Sequence, residues 1–395
     1  MANNKDKKIL NVPALRFPEF CGEWKEVKLS KVIKVQGGYA FKSELFQQSG
    51  VPIIRISNLP QNELFVNLND CVYYSEGNYH NFEVHKGDLL IAMSGATTGK
   101  TAIYNNNSIA YLNQRVGCFK VKSDLFYSFL YALVETKSFK NQLNKKLIAG
   151  AQPNISSFDI ESIKVTIPGL IEQQKIAKLI GLLNERIDTQ NKIIEKLETL
   201  IKGIVELAFS HAATSNTLGC HITQISQRNK NGKDLPVLSV SNKYGFVEQS
   251  EQFEDRIIAS DDTSNYKIVS INDFAFNPAR INVGSIARLK DKECGIVSPM
   301  YICFRTSKDI LPEYLELFFK TVTFSSEVGK RLEGSVRLCL SFESLCEIVI
   351  PVISIREQQS LVKMATAFYS KLDVEKGILR SYQSQKQYLL SQMFI

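Results

Sequence analysis

Residues 172–209 read EQQKIAKLIGLLNERIDTQNKIIEKLETLIKGIVELAF, and residues 357–394 read EQQSLVKMATAFYSKLDVEKGILRSYQSQKQYLLSQMF. The two stretches align without a gap at an offset of 185, with identical residues at Glu172/Glu357, Gln173/Gln358, Gln174/Gln359, Lys178/Lys363, Asp188/Asp373, Ile193/Ile378 and Phe209/Phe394. Self-similarity at a fixed period is the sequence signature of a repeated architecture. The alignment therefore predicts that the chain is built twice.

Both stretches carry apolar residues at alternating spacings of four and three, which is the seam of a coiled coil rather than the broader stripe of a globular-core helix. The first seam consists of Ile176, Ile180, Leu183, Ile187, Ile194, Leu197, Ile201, Ile204 and Ala208. The second consists of Leu361, Ala365, Phe368, Leu372, Leu379, Tyr382, Leu389 and Met393. Gln190 and Glu375 are polar at the equivalent step, and Lys386 is a second interruption. Two seams of equal phase predict two long helices that pair antiparallel.

The length and charge of these helices suit a spacer. Thirty-eight helical residues at about 1.5 Å each span about 57 Å, the length of about 16 or 17 base pairs. The first helix has six basic and six acidic residues and the second five and three, so about +6 of the net charge of +8 lies elsewhere. A DNA-facing surface would need that excess, and scattered solubilising charge is the alternative.

The repeat extends upstream of the helices. GDLLIAMSGATTGKTA (residues 87–102) is matched at the same offset by NDFAFNPARINVGSIA (residues 272–287), and IRISN (54–58) has a counterpart in LSVSN (238–242). Asp124 is expected to cap a helix that runs to about Leu147, and Asp309 precedes an equivalent helix ending near Leu332. Strand-like runs that end at Pro168 and Pro351 come before the long helices.

The stretch GDLLIAMSGATTGKT contains the residue types of a phosphate-binding loop. Such a loop needs glycines that let backbone N–H groups surround phosphates, a lysine and a Ser or Thr, in the pattern G-x-x-x-x-G-K-[ST]. Here only three residues separate Gly95 from Gly99, and TAIYNNNSIAYL after Lys100 predicts strands and a turn instead of a helix. In the second copy Arg280 and Ser285 replace Gly95 and Lys100. The pattern thus favours a duplicated strand-turn frame whose side chains differ, as expected of a recognition module.

Composition excludes several other classes. With 395 residues the chain is long enough for two or three domains. It has no apolar run long enough to span a membrane and no signal-peptide pattern at its start, so a cytoplasmic protein is expected. The eight cysteines form no C-x-x-C pair and the four histidines no zinc-like spacing, which predicts buried reduced thiols and no metal site.

The order of motifs resembles the specificity subunit of type I restriction-modification systems over essentially the whole chain. The stretches that carry the resemblance are VPALRFPEFCGEWKEVKLSKVIKVQGGYAF, GDLLIAMSGATTGKTAI, YLNQRVGCF, AGAQPNISS, IPGLIEQQKIAKLIGLLN, FAFNPARINVGSIA, VSPMYICF and IPVISIREQQ. The resemblance implies a non-catalytic subunit in which two target recognition domains each read one half of a bipartite, asymmetric DNA site, and the helices fix the gap between the halves.

The resemblance also implies partners. Two modification subunits would bind S-adenosylmethionine and methylate adenine, and restriction subunits would use ATP, with Mg²⁺, to translocate and cleave DNA; no cofactor is expected on this chain. Docking of the modification subunits on the helices would explain the polar residues Gln173, Gln174, Gln358 and Gln359. Capping of the first helical turn explains them equally well.

The expected fold is α/β, with two pseudo-repeated α/β target recognition domains separated by a pair of long antiparallel coiled-coil helices. The expected boundaries are residues 1–168 for the first domain, 169–210 for the central helix, 211–353 for the second domain and 354–395 for the C-terminal helix.

Base reading requires Arg or Lys toward guanine and Asn or Gln toward adenine, on loops that can enter a groove. Turns and strand ends of the repeated frame supply such residues, although a solvated or loop-capping role is an equally good account of any one of them. The candidates in the first domain are Arg55, Thr98, Lys100, Asn113, Gln114, Arg115 and Gln152. Those in the second domain are Asn242, Lys243, Asn277, Arg280, Asn282, Arg288 and Arg337.

No catalytic motif is present in the sequence. It lacks H-E-x-x-H and the [DN]-P-P-[YF] signature of adenine methylases, of which FNPAR (276–280) is the nearest approach. Two alternatives stay open at this point: a coiled-coil adaptor that binds proteins and no DNA, and a P-loop NTPase that depends on Lys100.

Overall fold

The computed structural model describes residues 11–60, 63–148, 154–210, 214–249, 263–334 and 337–395. Within these ranges no helix combines the length and the apolar character needed to cross a membrane.

The first domain is built on two four-stranded sheets and one strand pair. Its strands are β1 (Lys25–Lys28), β2 (Ile33–Gly37), β3 (Val51–Ile54), β4 (Val72–Tyr74), β5 (Glu83–Val84), β6 (Leu89–Ala92), β7 (Thr101–Ile103), β8 (Ala110–Leu112), β9 (Val116–Val121) and β10 (Lys164–Ile167). One sheet has the order β2-β9-β6-β7 and is antiparallel throughout. The other has the order β4-β3-β8-β5, in which β3 and β8 run parallel. Strand β1 pairs with β10, which directly precedes the central helix.

In the described part of this domain the strands are accompanied by the helices α1 (Leu29–Val32), α2 (Tyr127–Leu133), α3 (Lys137–Ile148) and α4 (Ser157–Glu161). The fully buried rings of Phe119, Phe129 and Phe139 join the first sheet to α2 and α3 in one hydrophobic cluster. Burial of large aromatic rings is a main source of the stability of such a core.

The second domain repeats this architecture. Its strands are β11 (Thr214–Thr217), β12 (Ile222–Ile225), β13 (Val237–Ser241), β14 (Gly245–Glu248), β15 (Lys267–Ser270), β16 (Phe274–Phe276), β17 (Ile286–Arg288), β18 (Cys294–Val297), β19 (Ile302–Thr306) and β20 (Val349–Val352). The sheet orders β12-β19-β16-β17 and β14-β13-β18-β15 and the pair β11-β20 reproduce the three sheets of the first domain, including the parallel pair β13 and β18. This confirms that the fold is duplicated.

The long helices are α5 (Leu170–Ser210), the central helix, and the C-terminal helix, α9 (Ile355–Gln392). Between them lie α6 (Pro312–Phe318), α7 (Val322–Lys330) and α8 (Phe342–Cys346). The positions of α2 and α6, of α4 and α8, and of β10 and β20 differ by the offset of 185 that the sequence shows.

The single helix expected from Asp124 to Leu147 is wrong, because two helices occupy this stretch. The Thr136 hydroxyl accepts a hydrogen bond from the Phe139 N–H (3.2 Å) and starts α3 as a new helix. Thr321 does the same for the Phe324 N–H (3.0 Å) at the start of α7. Nor does Asp124 cap α2, whose N-cap is Phe126; its own φ of +55° is left-handed. Threonine side chains at N-caps compete with helix continuation.

Pro168 and Pro351 are not equivalent landmarks. Pro168 follows β10, whereas Pro351 lies within β20. An edge strand tolerates a proline because that residue has no backbone N–H to contribute. The strands themselves keep the 185-residue offset without a gap.

The chain divides into two compact units, one containing residues up to Ile193 together with Lys376–Ile395, the other Ile194–Glu375. In the first unit, Ile176 and Ile180 near the start of α5 share a hydrophobic cluster with Leu390, near the end of α9, and with Met393 and Phe394, which directly follow that helix. In the second unit, Phe209 near the end of α5 contacts Tyr314 and Phe318 of α6, with ring centroids 4.8 and 5.3 Å apart. The start of one helix therefore belongs to the same unit as the end of the other, which is the antiparallel arrangement.

The expected seam residues are buried or half-buried. The fully buried group comprises Ile176, Ile180, Leu183, Ile194, Ile201, Leu361, Ala365, Leu372 and Met393, and the half-buried group comprises Ile187, Leu197, Ile204, Ala208, Phe368, Leu379, Tyr382 and Leu389. Near the helix ends the buried stripe moves by one residue, to Val205, Phe209 and Leu390. A straight helix drifts in this way relative to a 3.5-residue repeat. Which seam residues pair with one another stays a prediction.

Charged residues at equivalent positions form equivalent ion pairs. Lys120 lies 2.9 Å from Asp88, and 185 residues later Arg305 lies 2.8 Å from Asp273. Cys118 and Cys303, another equivalent pair, are fully buried, and burial raises the pKa of each thiol to about 12. The prediction of buried thiols is wrong for the other six cysteines, which are partly or fully exposed; all eight are free.

Candidate nucleic-acid interface

The glycine-rich stretch of the first domain is the turn of a β-hairpin between β6 and β7. Gly95 and Gly99 have φ values of +78° and +86°, which glycine adopts without steric cost. The Thr98 hydroxyl donates to the Gly95 carbonyl (2.6 Å), and the Ala92 N–H donates to the Lys100 carbonyl (2.8 Å). Because Lys100 leads into a strand and not a helix, the turn lacks the geometry of a P-loop.

This turn lies between a loop and a helix. A Cβ atom at Gly95 would lie 3.2 Å from Cδ1 of Ile56, and one at Gly99 would lie 2.9 Å from Cδ2 of Leu143 on α3. The hydroxyls of Ser94 and Thr97 have no hydrogen-bond partner among the described residues. Both hydroxyl oxygens are buried, so the lysine of this turn, and not these hydroxyls, suits contact with an anionic ligand.

Arg55 directly follows β3 and lies next to this turn. Its Nη2 donates to the Asp70 carbonyl (3.0 Å), its Nε has no partner among the described atoms, and its backbone N–H donates to Oδ1 of Asn58 (2.9 Å). The guanidinium is therefore anchored at one nitrogen, and its Nε is buried.

Asn113, Gln114 and Arg115 form the turn between β8 and β9. The Asn113 N–H donates to the Ile54 carbonyl (3.1 Å), and the Arg115 carbonyl accepts from the Met93 N–H (2.9 Å). These bonds hold the turn against the ends of β3 and β6, so six of the seven first-domain candidates lie at one edge. Gln114 and Arg115 are exposed there. The seventh, Gln152, lies outside the described residues.

Tyr39, which sequence reasoning missed, belongs to the same edge. It forms a bridge with Asn113 and accepts from the Gln114 N–H (2.9 Å), and 41% of its surface is exposed. Its ring contacts the rings of Tyr79 and Phe82, with centroids 5.4 and 5.2 Å away. An exposed aromatic ring at a reading edge can contact bases or the thymine methyl group.

A sequence signal for Tyr39 existed in the preceding glycine pair. A Cβ atom at Gly38 would lie 2.1 Å from the Asn113 carbonyl oxygen, so only glycine permits this approach of the two chain segments.

In the second domain the equivalent hairpin turn connects β16 and β17. The Asn277 N–H donates to the Ser285 carbonyl (3.0 Å), which repeats the closing bond of the first turn, and Gly284 has a φ of +88°. Ser285, in the place of Lys100, is buried and donates to the Val240 carbonyl (3.2 Å). Arg280, in the place of Gly95, is exposed.

Neighbouring segments bring further candidates to this turn. A Cβ atom at Gly284 would be 3.9 Å from Cβ of Asn242, which is exposed together with Lys243 and Asn282. The Leu340 N–H donates to the Pro278 carbonyl (3.1 Å), so the segment that carries the exposed Arg337 adjoins the turn.

The side chains of two second-domain candidates already form hydrogen bonds or ion pairs within the chain. Asn277 is buried, and its Oδ1 accepts from the Ala279 N–H (3.1 Å). Arg288 forms ion pairs with Glu313 (2.7 Å) and Glu316 (3.0 Å), and only 11% of its side chain is exposed. Within the described ranges no three His, Cys, Asp or Glu side chains cluster to hold a metal ion.

The chain is similar to known proteins in sequence and in fold. A family model described as the type I restriction modification DNA specificity domain matches residues 22–199. The specificity subunit of type I restriction enzyme MjaVIII from Methanocaldococcus jannaschii is 30% identical over 194 residues, which are 47% of this chain and 45% of that protein. The specificity subunit of EcoBI from Escherichia coli is 21% identical over 90% of this chain and 81% of its own length.

The fold has a solved counterpart as well. The S subunit of a type I restriction-modification system from M. genitalium superposes with a TM-score of 0.62 and 17% identity, over 97% of this chain and 99% of that one. Residues 22–199 thus match the DNA specificity domain of type I restriction-modification systems, and the duplicated fold is similar over nearly its whole length to that of an S subunit of such a system.

Proposed function

We propose that this chain is the non-catalytic subunit that gives a type I restriction-modification complex its DNA sequence specificity. Each domain reads one half of a bipartite, asymmetric site on double-stranded DNA. The two long helices set the number of unread base pairs between the halves.

The observation that carries this proposal is the pair of hairpin turns. They share their closing hydrogen bond, from Ala92 to Lys100 and from Asn277 to Ser285, and a left-handed glycine, but their side chains differ. A common frame with different side chains supports two modules that read different sequences.

The proposed readers are residues around each turn whose side chains are exposed or half-buried. In the first domain these are Lys100, Gln114 and Arg115, with Arg55 and Tyr39 beside them; in the second they are Asn242, Lys243, Arg280, Asn282 and Arg337. Paired donors of arginine suit guanine, and the amides of Asn and Gln suit adenine. Thr98, Asn113 and Asn277, whose side chains are hydrogen-bonded to the chain itself, would shape the turns, and Arg288 would brace β17.

The long helices also offer a surface for partner subunits. Large apolar residues are exposed along both of them: Ile171 (74%), Leu182 (51%), Leu200 (55%), Leu207 (60%), Val374 (57%) and Tyr388 (60%). Exposed apolar surface of this kind marks protein-protein contacts. It supports docking of two modification subunits, which would bring S-adenosylmethionine, and of restriction subunits, which would bring ATP and Mg²⁺.

Methylation mapping in a host that carries the complete gene set tests this function. We expect adenine methylation at one bipartite sequence with a fixed gap, lost on deletion of this gene alone. Methylation that persists unchanged after the deletion would contradict the proposal. Purified chain is expected to hydrolyse no ATP, with or without Lys100→Ala.

A further inference from the structure

The two domains share a fold but differ in net charge. Residues 1–168 contain 20 Lys and Arg against 14 Asp and Glu, whereas residues 211–353 contain 16 against 17. The whole basic excess of the globular parts therefore belongs to the first domain, and the second domain is slightly acidic.

Much of this excess is concentrated on α3, which reads KSFKNQLNKKLI and contains no acidic residue. Its lysines Lys137, Lys140, Lys145 and Lys146 are all exposed, and we name them the α3 ridge. The first three form no ion pair within the described residues. Lys146 lies near Asp159, whose pKa is lowered chiefly by a hydrogen bond from Ser156 and to a smaller extent by this lysine.

The cations at the end of α7, the equivalent helix of the second domain, form ion pairs within the chain. Lys330 lies 2.6 Å from Glu327, and Arg331 forms a second ion pair with the same carboxylate. Hydrogen bonds from these two cations hold the pKa of Glu327 below its usual range. At the same place in the fold, one helix offers unpaired cations and the other does not.

The α3 ridge lies beside the edge of the first domain that carries the candidate DNA-reading residues. Gly99 packs on Leu143 of α3, and Lys140 and Lys146 lie one helical turn before and after Leu143, on the same side of the helix. Lys100 follows Gly99 and also forms no ion pair within the described residues. The ridge and the turn thus place several cations along one border of the proposed DNA-reading surface.

We infer that the α3 ridge and Lys100 bind backbone phosphates of double-stranded DNA beside the first half-site, so that the first domain supplies most of the salt-dependent affinity. The inference rests on the proposed function. Lysines neutralise phosphates and release counterions, and each such contact contributes about 0.9 to the slope of log K against log salt concentration. The second domain has no unpaired cations at this position among its described residues. It therefore reads sequence but contributes little to the slope of log K against log salt concentration.

The test measures binding by fluorescence anisotropy over a series of salt concentrations. The full chain, assembled with its modification subunits, is titrated onto a duplex that contains its methylation site and onto an unrelated duplex. The triple variant Lys137→Gln, Lys140→Gln, Lys145→Gln removes three ridge charges. The matched control Lys308→Gln, Lys330→Gln, Arg331→Gln removes three charges from the second domain.

The ridge variant should lower the slope by about 2 to 3, weaken binding to both duplexes by a similar factor, and leave the methylated sequence unchanged. The control should keep the slope of the unaltered chain. An unchanged slope in the ridge variant, or an equal fall in the control, would overturn the inference. The unrelated duplex separates the two proposals, because its slope reports the ridge even if methylation mapping rejects the proposed function.

Discussion

Gln173 and Gln358, 185 residues apart, make the same three hydrogen bonds. The Gln173 amide accepts from the Phe126 N–H (2.7 Å) and donates to the carbonyls of Asp124 (3.0 Å) and Pro168 (2.9 Å). Gln358 accepts from the Leu311 N–H (2.8 Å) and donates to Asp309 (3.0 Å) and Ile353 (2.9 Å). Both residues are fully buried, so Gln173 joins α5 to the loop before α2, and Gln358 joins α9 to the loop before α6.

Replacing either glutamine by alanine should therefore destabilise the protein. The change leaves a buried N–H and two carbonyls without partners, which costs about 1–3 kcal/mol. The loss in free energy of unfolding is measured by urea denaturation. The exposed neighbours Gln174→Ala and Gln359→Ala are the controls and should change the free energy of unfolding by less than about 0.5 kcal/mol. Equal effects of the buried and exposed variants would refute this structural role.

Phe394→Ala should loosen the first unit and alter the fluorescence of Trp24, the one tryptophan of the chain. The Phe394 ring stacks on Phe129 (5.3 Å) and meets Trp24 edge-on (6.2 Å). Removing a buried ring costs about 3 kcal/mol and admits water, so the Trp24 emission should move to longer wavelength. Phe209→Ala, at the equivalent position in the second unit, should destabilise the protein without shifting that emission. A shift in both variants would argue against this packing.

Cysteine alkylation should follow burial. At about pH 8 the exposed Cys21 and Cys220 should react first with iodoacetamide, because the reactive species is the thiolate. Cys118 and Cys303, whose pKa is raised to about 12 by burial, should react only after unfolding. Peptide mass spectrometry reads the order, and early labelling of Cys118 in folded protein would contradict it.

Inserting one heptad into both long helices should lengthen the gap in the recognised site. Seven residues add about 10.5 Å, close to three base pairs, and preserve the phase of the seam. Methylation mapping should show the same two half-sites farther apart. A four-residue insertion breaks the repeat and should impair methylation. Altered half-sites in the heptad variant would show that the helices do more than set a distance.

The duplication and the long helices could be predicted because they rest on patterns local in sequence. The 185-residue offset and the alternating spacings of four and three are visible without any tertiary contact, and α5 and α9 confirm them. The division of the expected helices at Thr136 and Thr321 was missed because a capping hydroxyl acts through one hydrogen bond, which apolar periodicity does not reveal.

Contacts between distant segments could not be predicted from the sequence. Glu172, at the start of α5, is buried because it accepts from Arg16 (2.8 and 2.7 Å) and from Trp24 (3.3 Å), whereas its equivalent Glu357 is exposed and caps its own helix with Ser354. Tyr39 joins the candidate interface through a bridge to Asn113. The engagement of Arg288 by two glutamates is likewise a tertiary contact.

The two proposed recognition domains should read their two half-sites independently. Exchanging residues 1–165 for those of a related specificity subunit, followed by methylation mapping of a host with the unaltered partner genes, tests it most directly. We predict one new half-site, with the other half-site and the gap retained. A change in both half-sites, or in neither, would contradict it.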